Sequence, residues 1–481
     1  RSSTRSRTPR SVHMAGCLPC FSGVAGAAGN VRDSIGSTAG RTSLKHSSSD
    51  VAAFNRRKLG SNADLAKIAR ERDLEYFLVC FIDIMGVLRS KMVPASAIAQ
   101  IQRDGAGFAP HATWLNYGPD ASDMVAVPDP TTLIQVPFRP TLGFVIGDCF
   151  MDGKPVRDSP RWVLKQQVQK AADMGLVFKT GVEPEFFILS SDLSPSLSDA
   201  FDMQTKPCYD AHALMRRYEV LREIVDVLNS SGFGVYQTDH EDANGQFEIN
   251  WHYDECLRTA DRLVYFKWVV KTLAEKHTLR ATFMPKPFVN LTGSGLHCHC
   301  SMWKGSVNVF GGDAIPRTDV HAVDLHTGVK ELGLSKMALH FMGGVLAKAP
   351  YYCAITNPAV NSYKRLSGST TLSGSTWSPN RISFSGNNRT HLVRVPAPDR
   401  FEVRLADGAA NPYLLPAVLL VCGLAGMEAE LVPDAYFFPP RVNMYELPDS
   451  LPEVAKLPRL PTNLLDALRL FEQDLELRSR L

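Results

Sequence analysis

Apolar and polar residues begin to alternate near Leu74, where LEYFLVCFIDIMGVLRSKMVP predicts two strands joined at Gly86 in a β-hairpin. Proline-rich turns in PDPTTL and VPFRPTLGF carry the chain toward residue 150 and mark a small β-rich region. Ser159 followed by Pro160 is a helix start, with the cap supplied by Asp158 or Ser159, and the helical period runs to about residue 174. GLVFKTGVEPEFFIL predicts a strand, and amphipathic helices over about 211–228 and 257–279 flank a strand hairpin in HEDANGQFEIN. Asn411-Pro412 opens an apolar helix that runs to about residue 431. Acid-bearing strands backed by amphipathic helices predict an α+β catalytic domain.

The strands carry the chemistry. Residues two apart on a strand point to one face, so Glu183 and Glu185 in GVEPEFF aim their carboxylates into one space. Two such charges repel unless hard divalent cations, which take oxygen ligands, keep both ionised. Glu241 and Glu248 in HEDANGQFE, Glu402 in RFEVR and His297 in GSGLHCHC complete a set able to hold two cations. Arg365, Arg389, Arg394, Arg400 and Arg404 supply guanidinium forks suited to phosphate and carboxylate oxygens. Carboxylates for metals beside arginines for anions predict phosphoryl transfer from a metal-bound nucleotide. Each piece alone has a plainer reading: a solitary ExE suits a solvated face, and HCHC lacks the second Cys or His pair of a zinc finger. The joint order along the chain carries the argument.

That order resembles glutamine synthetase, particularly its type III branch, over roughly residues 75–478. The most specific runs are GVEPEFFIL, HEDANGQFEINW, FMPKPF with GSGLHCHCSMW, NPAVNSYKRL, GNNRTHLVRVP and RFEVRLADGAANPYLLP. The resemblance implies a β-grasp domain followed by a catalytic domain with a curved antiparallel sheet backed by helices. It implies Glu185, Glu241 and Glu248 as ligands of the metal beside glutamate and the amine. Glu183, His297 and Glu402 are then ligands of the metal that travels with the ATP phosphates. Gly293 and Arg365 are implied at the glutamate, Arg389 and Arg404 at the transferred phosphoryl group. Arg394, Arg400, His299, Ser301 and Tyr253 are implied at the nucleotide, the last stacking on adenine. Two or more Mg²⁺ per site, with Mn²⁺ as an alternative, would serve ATP, glutamate and ammonia, giving glutamine through γ-glutamyl phosphate. A homo-oligomeric ring with active sites between subunits is implied as well.

Two departures bear on the amine. The family's flap acid should follow NSYKR, yet residues 366–398 contain no Asp or Glu. Ala109 follows Gly107-Phe108 where a second ammonium-site acid is expected. Asp120 or Asp123 could replace that field; otherwise an alkylamine or polyamine is the substrate, and a catalytically silent oligomer is the third reading. VPAPD between Arg394 and Arg400 is short and lacks a lysine, and NMYELP around Tyr445 resembles the loop that bacterial members adenylylate.

Composition adds compartment and organisation. The 481 residues, 44% hydrophobic, are enough for more than one core. No apolar run approaches the roughly 18 residues needed to cross a bilayer. Ten scattered cysteines fit reduced thiols in a cytoplasmic or organellar setting. The first sixty or so residues are rich in Arg, Ser, Ala and Gly with only Asp33 and Asp50 as acids, which predicts a disordered leader over 1–70. That composition suits a plastid or mitochondrial transit peptide as well as an ordinary extension. No aromatic platform accompanies those basic residues, so nucleic acid is not an expected partner. The expected domains are 71–155 and 156–481, and Leu481 ends the chain earlier than the family pattern suggests.

Overall fold

The computed structural model describes residues 46–192, 196–311, 332–367 and 371–481. Strand Tyr76–Ile82 pairs antiparallel with Leu88–Pro94 in the register Ile82 to Leu88, the hairpin expected around Gly86. Its other edge pairs in parallel with Leu142–Met151, which in turn pairs with Met124–Pro128, giving a mixed first sheet. Alternation along Tyr76–Ile82 divides two cores: Phe77, Val79 and Phe81 enter a small one, while Cys80 and Ile82 enter the main one.

One expectation fails within the predicted leader. Residues 48–55 and 65–72 form helices, Ser48–Asn55 and Leu65–Arg72, whose Val51, Phe54, Leu65 and Ile68 are buried. Ser47 and Asp50 form a reciprocal capping box at the first, and Asp64 accepts from the Lys67 N–H at the second. Asn55 Nδ2 donates to the carbonyls of Gln135 (2.9 Å) and Ser230 (3.0 Å), tying the first helix to the first sheet and to the end of helix Tyr218–Ser230. Leader composition averaged over seventy residues hides two short apolar stripes that tertiary burial stabilises. Residues 1–45 lie outside those described.

The second sheet positions the chemistry. Its order runs Phe384–Ser385, Val393–Ala397, Arg400–Val403, Leu296–Lys304, Val177–Ser190, Gln246–Trp251 and Val235–His240. Apolar residues of helices Cys256–Lys276, Lys336–Thr356 and Leu414–Glu428 join those of the sheet in the main core. The last two helices approach so closely that a Cβ on Gly344 would lie 2.0 Å from the Cys422 carbonyl oxygen, which requires glycine. The expected helix over 211–228 is two helices, Ala211–Arg216 and Tyr218–Ser230, separated at Arg217, whose guanidinium turns to Ser198. Among the described residues, no helix is long and apolar enough to cross a membrane.

Candidate active site

Strand pairing converts the separated motifs into rows on one sheet face. His297 lies opposite Glu183, Glu248 opposite Glu185, and Asp239 opposite Glu248. Glu402 lies opposite His299, with Arg394 opposite Glu402 on the next strand. Side chains sharing a face of neighbouring strands stand within reach of one another. All of them except the fully buried Glu402 line a cleft of about 800 Å³.

Three groups of ligand atoms fall within 4.8 Å of one another: Glu183, His297 and Glu402; Glu185, Glu248 and His297; Asp239, Glu241 and Glu248. The first is the trio expected from the sequence. The second expected trio is divided: Glu248 groups with Glu185 and His297 in one set and with Glu241 and Asp239 in another. Asp239 and Glu241 stand two apart in QTDHED, the same alternation that singles out Glu183 and Glu185. Asp239 Oδ1 is buried without a hydrogen-bond partner, a gap that a cation would fill.

Electrostatics differ across this cluster. Burial alone would raise Glu183, but hydrogen bonds from His297 and His299 outweigh it and hold the carboxyl well below the usual range. Burial works against Glu402 too, and the Arg404 charge, aided by His299 and His297, brings it down to about 2. Arg404 Nη1 and Arg394 Nη1 donate to its two oxygens at 2.6 and 2.7 Å. On the other side, burial and then the surrounding carboxylates push Glu241 and Glu248 well above their usual range. The same causes raise Asp239 to about 6. Glu185 is oriented from behind by Gln246 Nε2 (3.0 Å) and the Gly295 N–H (2.8 Å).

The remaining expected residues are distributed as follows. Arg365 is buried, donates to the carbonyls of Leu405 (2.9 Å) and Arg404 (3.2 Å), and lines the cleft with Gly293. A Cβ on Gly293 would lie 2.5 Å from the Pro285 oxygen, so that loop needs glycine. Arg389, Arg394, Arg400 and Ser301 also line the cleft, Arg400 beside Asp399 at 3.6 Å. Tyr253 is half exposed, 6.3 Å from the near-parallel ring of Trp303. His299, expected at the nucleotide, is engaged by Glu183 Oε1 at 2.9 Å and therefore stands beside the first metal group.

The flap segment departs most from expectation. Its Ser373 hydroxyl donates to Asp242, and the Trp377 carbonyl accepts from Arg404 Nη2 at 3.3 Å. Trp377 lines the cleft with φ at +54°, a conformation strained for a bulky residue and held by that contact. Asp120 and Asp123, proposed substitutes for the missing acids, are exposed and do not line the cleft of this chain; neither does Ala109. Tyr445 is not a solvent-facing loop tyrosine: its hydroxyl is buried without a partner, and burial raises it to about 12 despite Arg404 and Arg365. Sequence reasoning also missed Tyr209 and Trp377 on the cleft wall, whose ring types carry no motif of their own.

Comparison with known proteins agrees with this geometry. Residues 157–481 match the family model of the glutamine synthetase catalytic domain. A glutamine synthetase of Rhizobium meliloti is 49% identical over 420 residues, covering 87% of this chain and 92% of that one. A glutamate–methylamine ligase of Methyloversatilis universalis is 38% identical over 424 residues, covering 88% and 92%. A solved complex of GmaS with ADP superposes with a TM-score of 0.79 at 48% identity, covering 87% of this chain and 92% of that one. Members of this family are ATP-dependent glutamate ligases that use divalent metals. With the catalytic-domain match spanning most of the chain and the expected carboxylates gathered on one sheet face, the chain belongs to the glutamine synthetase family.

Proposed function

We propose that the chain is an ATP- and Mg²⁺-dependent γ-glutamyl ligase whose preferred amine is a small alkylamine of the methylamine class. The amine side of the cleft carries the reading. The segment that covers it, 371–398, contains no carboxylate and presents Trp377, while the Tyr209 ring stands beside Glu241 and Arg389. Ammonium has no apolar surface to offer such walls, whereas a methylated cation gains from aromatic faces and apolar burial.

Glu183, His297 and Glu402 would hold one cation and Glu185, Glu241 and Glu248, with Asp239, the other. These cations would neutralise phosphate oxygens and keep the crowded carboxylates ionised. Arg365 and Gly293 seat glutamate; Arg389 and Arg404 face the transferred phosphoryl group; Arg394, Arg400, Ser301 and Tyr253 take the nucleotide. A γ-carboxylate oxygen of glutamate attacks the terminal phosphorus and ADP leaves. The amine nitrogen then attacks the acyl carbon, phosphate departs with that oxygen, and Glu241 accepts the amine proton. Exposed Phe201 and Met203, and Tyr209 on the cleft wall, suit coverage by a second copy in a ring-shaped homo-oligomer.

Glutamine synthesis from ammonium is the second reading, favoured by the 49% identity to a relative of that name and by the Asp239 and Glu241 carboxyls on the cleft wall. Phosphate release with ATP, Mg²⁺ and glutamate, compared across ammonium, methylamine, ethylamine and putrescine, separates the two. We expect kcat/KM for methylamine to exceed that for ammonium by about tenfold or more, the usual worth of one buried methyl group. Preference for ammonium overturns the alkylamine reading, and no release with any amine overturns both in favour of a silent oligomer.

A further inference from the structure

A second buried acid lies behind the carboxylate cluster. Asp202 belongs to the excursion between strand Val177–Ser190 and helix Ala211–Arg216, and its residue is 4% exposed. It collects three contacts from the turn between strands Val235–His240 and Gln246–Trp251: His240 Nε2 at 2.7 Å, Asn244 Nδ2 at 2.9 Å and the Gly245 N–H at 2.7 Å. The His240 ring is fully buried, and its Nδ1 lies 2.9 Å from the Glu241 carbonyl oxygen. One carboxylate thus reaches both ends of a turn whose residues matter at the cleft. Asp239 and Glu241 flank His240 in sequence, and Gln246, directly after Gly245, donates to Glu185.

No described contact links Asp202 to the cleft surface, and it does not line the cleft. A turn of Asp, Ala, Asn and Gly has little apolar surface with which to hold its own shape, so hydrogen bonds must fix it. We propose that Asp202 is a positioning residue for metal binding. Through His240, Asn244 and Gly245 it holds the 240–246 turn so that Asp239, Glu241 and Glu248 face one cation. The proposal rests on the metal assignment above and extends it to a group that touches neither metal nor substrate.

Asp202→Asn tests it, because the amide keeps the shape but replaces an anionic acceptor with an NH₂ group that opposes the incoming donors. The half-saturating Mg²⁺ concentration should rise about tenfold or more, the usual effect of removing a group that orients a metal ligand. KM for ATP and glutamate at saturating Mg²⁺ should stay within about twofold. Mn²⁺ binding to the metal-free protein, read by electron paramagnetic resonance, should weaken in parallel. His240→Gln should shift both readouts in the same direction. Unchanged metal dependence in Asp202→Asn, or a fall in kcat without any shift in metal affinity, overturns the proposal. If Asp202→Asn fails to fold, Asn244→Ser, which removes one contact only, carries the test by the same criteria. Glu248→Gln serves as control: wild-type Mn²⁺ binding in that variant would fail the metal assignment itself, whereas weakened binding there with none in Asp202→Asn fails only the positioning role.

Discussion

The two ends of the cleft contain the same residue type in opposite electrostatic states. Glu402 has two arginines on its oxygens and imidazoles nearby, and Glu183 has His297 and His299, so both carboxyls stay ionised with no cation present. Glu241, Glu248 and Asp239 are buried too but have carboxylates for neighbours, Glu183 and Glu185 foremost, and burial with like charge favours their protonated forms. Burial is common to both ends, so the neighbours decide the sign. One end is built to be charged at all times, and the other becomes charged when a divalent cation replaces the protons.

Substituting one carboxylate at each end should therefore reduce turnover alike but change stability in opposite directions. Glu402→Gln and Glu248→Gln should each lower phosphate release by about a thousandfold, the scale of several kcal/mol of lost charge stabilisation. In EDTA, Glu402→Gln should lower the thermal midpoint, since breaking a buried ion pair costs about 3–5 kcal/mol and leaves arginine unpaired. Glu248→Gln should raise it, because a neutral amide avoids the cost of protonating on folding a carboxyl that is ionised in the unfolded chain. A lower midpoint for Glu248→Gln in EDTA would refute the distinction drawn between the ends. Next in size is Trp377→Ala, which should reduce the methylamine-to-ammonium ratio of kcat/KM by about tenfold while leaving KM for ATP unchanged. An unaltered ratio would remove Trp377 from the amine site.

These two ends were unequally legible in the sequence. Glu183, His297 and Glu402 fall in motifs whose strand periods are unbroken, and antiparallel pairing then brings them within reach. Asp239 follows the same rule of two, yet HEDANGQFE draws the eye to its glutamates, and the strand that bears Asp239 reads VYQTDH, mostly polar. The position of Trp377 was out of reach for a different reason. Its segment has no apolar period, and the residue is held by a carbonyl contact from Arg404 rather than by a local preference of the backbone. Helix Ser48–Asn55 was missed because leader composition outweighed a capping signal, SSSD, that was present throughout.

Proton competition gives the smallest effect and the one that examines both ends without a substitution. Asp239 is raised from its usual 3.8 to about 6, so the folded chain binds its proton more tightly than the unfolded chain does. That group's stabilising contribution is complete below pH 3.8 and is lost as pH rises through about 6; Glu241 and Glu248 act in the same direction. Glu402 has the opposite sign: lowered to about 2, it contributes above its usual 4.5 and loses that contribution as pH falls toward 2. Between pH 5 and 7 the raised carboxyls lose their contribution while Glu402 stays ionised. Buried His391, lowered to about 3, adds stability over the same range as the unfolded imidazole sheds its proton, so the Mg²⁺-dependent difference, rather than the metal-free stability alone, reports the cluster. Mg²⁺ binds the ionised cluster and should cancel the carboxyls' loss, making the midpoint gain on adding Mg²⁺ small at pH 5 and larger at pH 7. Thermal melts in EDTA and in excess Mg²⁺ across that range measure the difference. A gain independent of pH would mean that the cation displaces no proton, and that the carboxylate-only end is as fully charged as the arginine-flanked one.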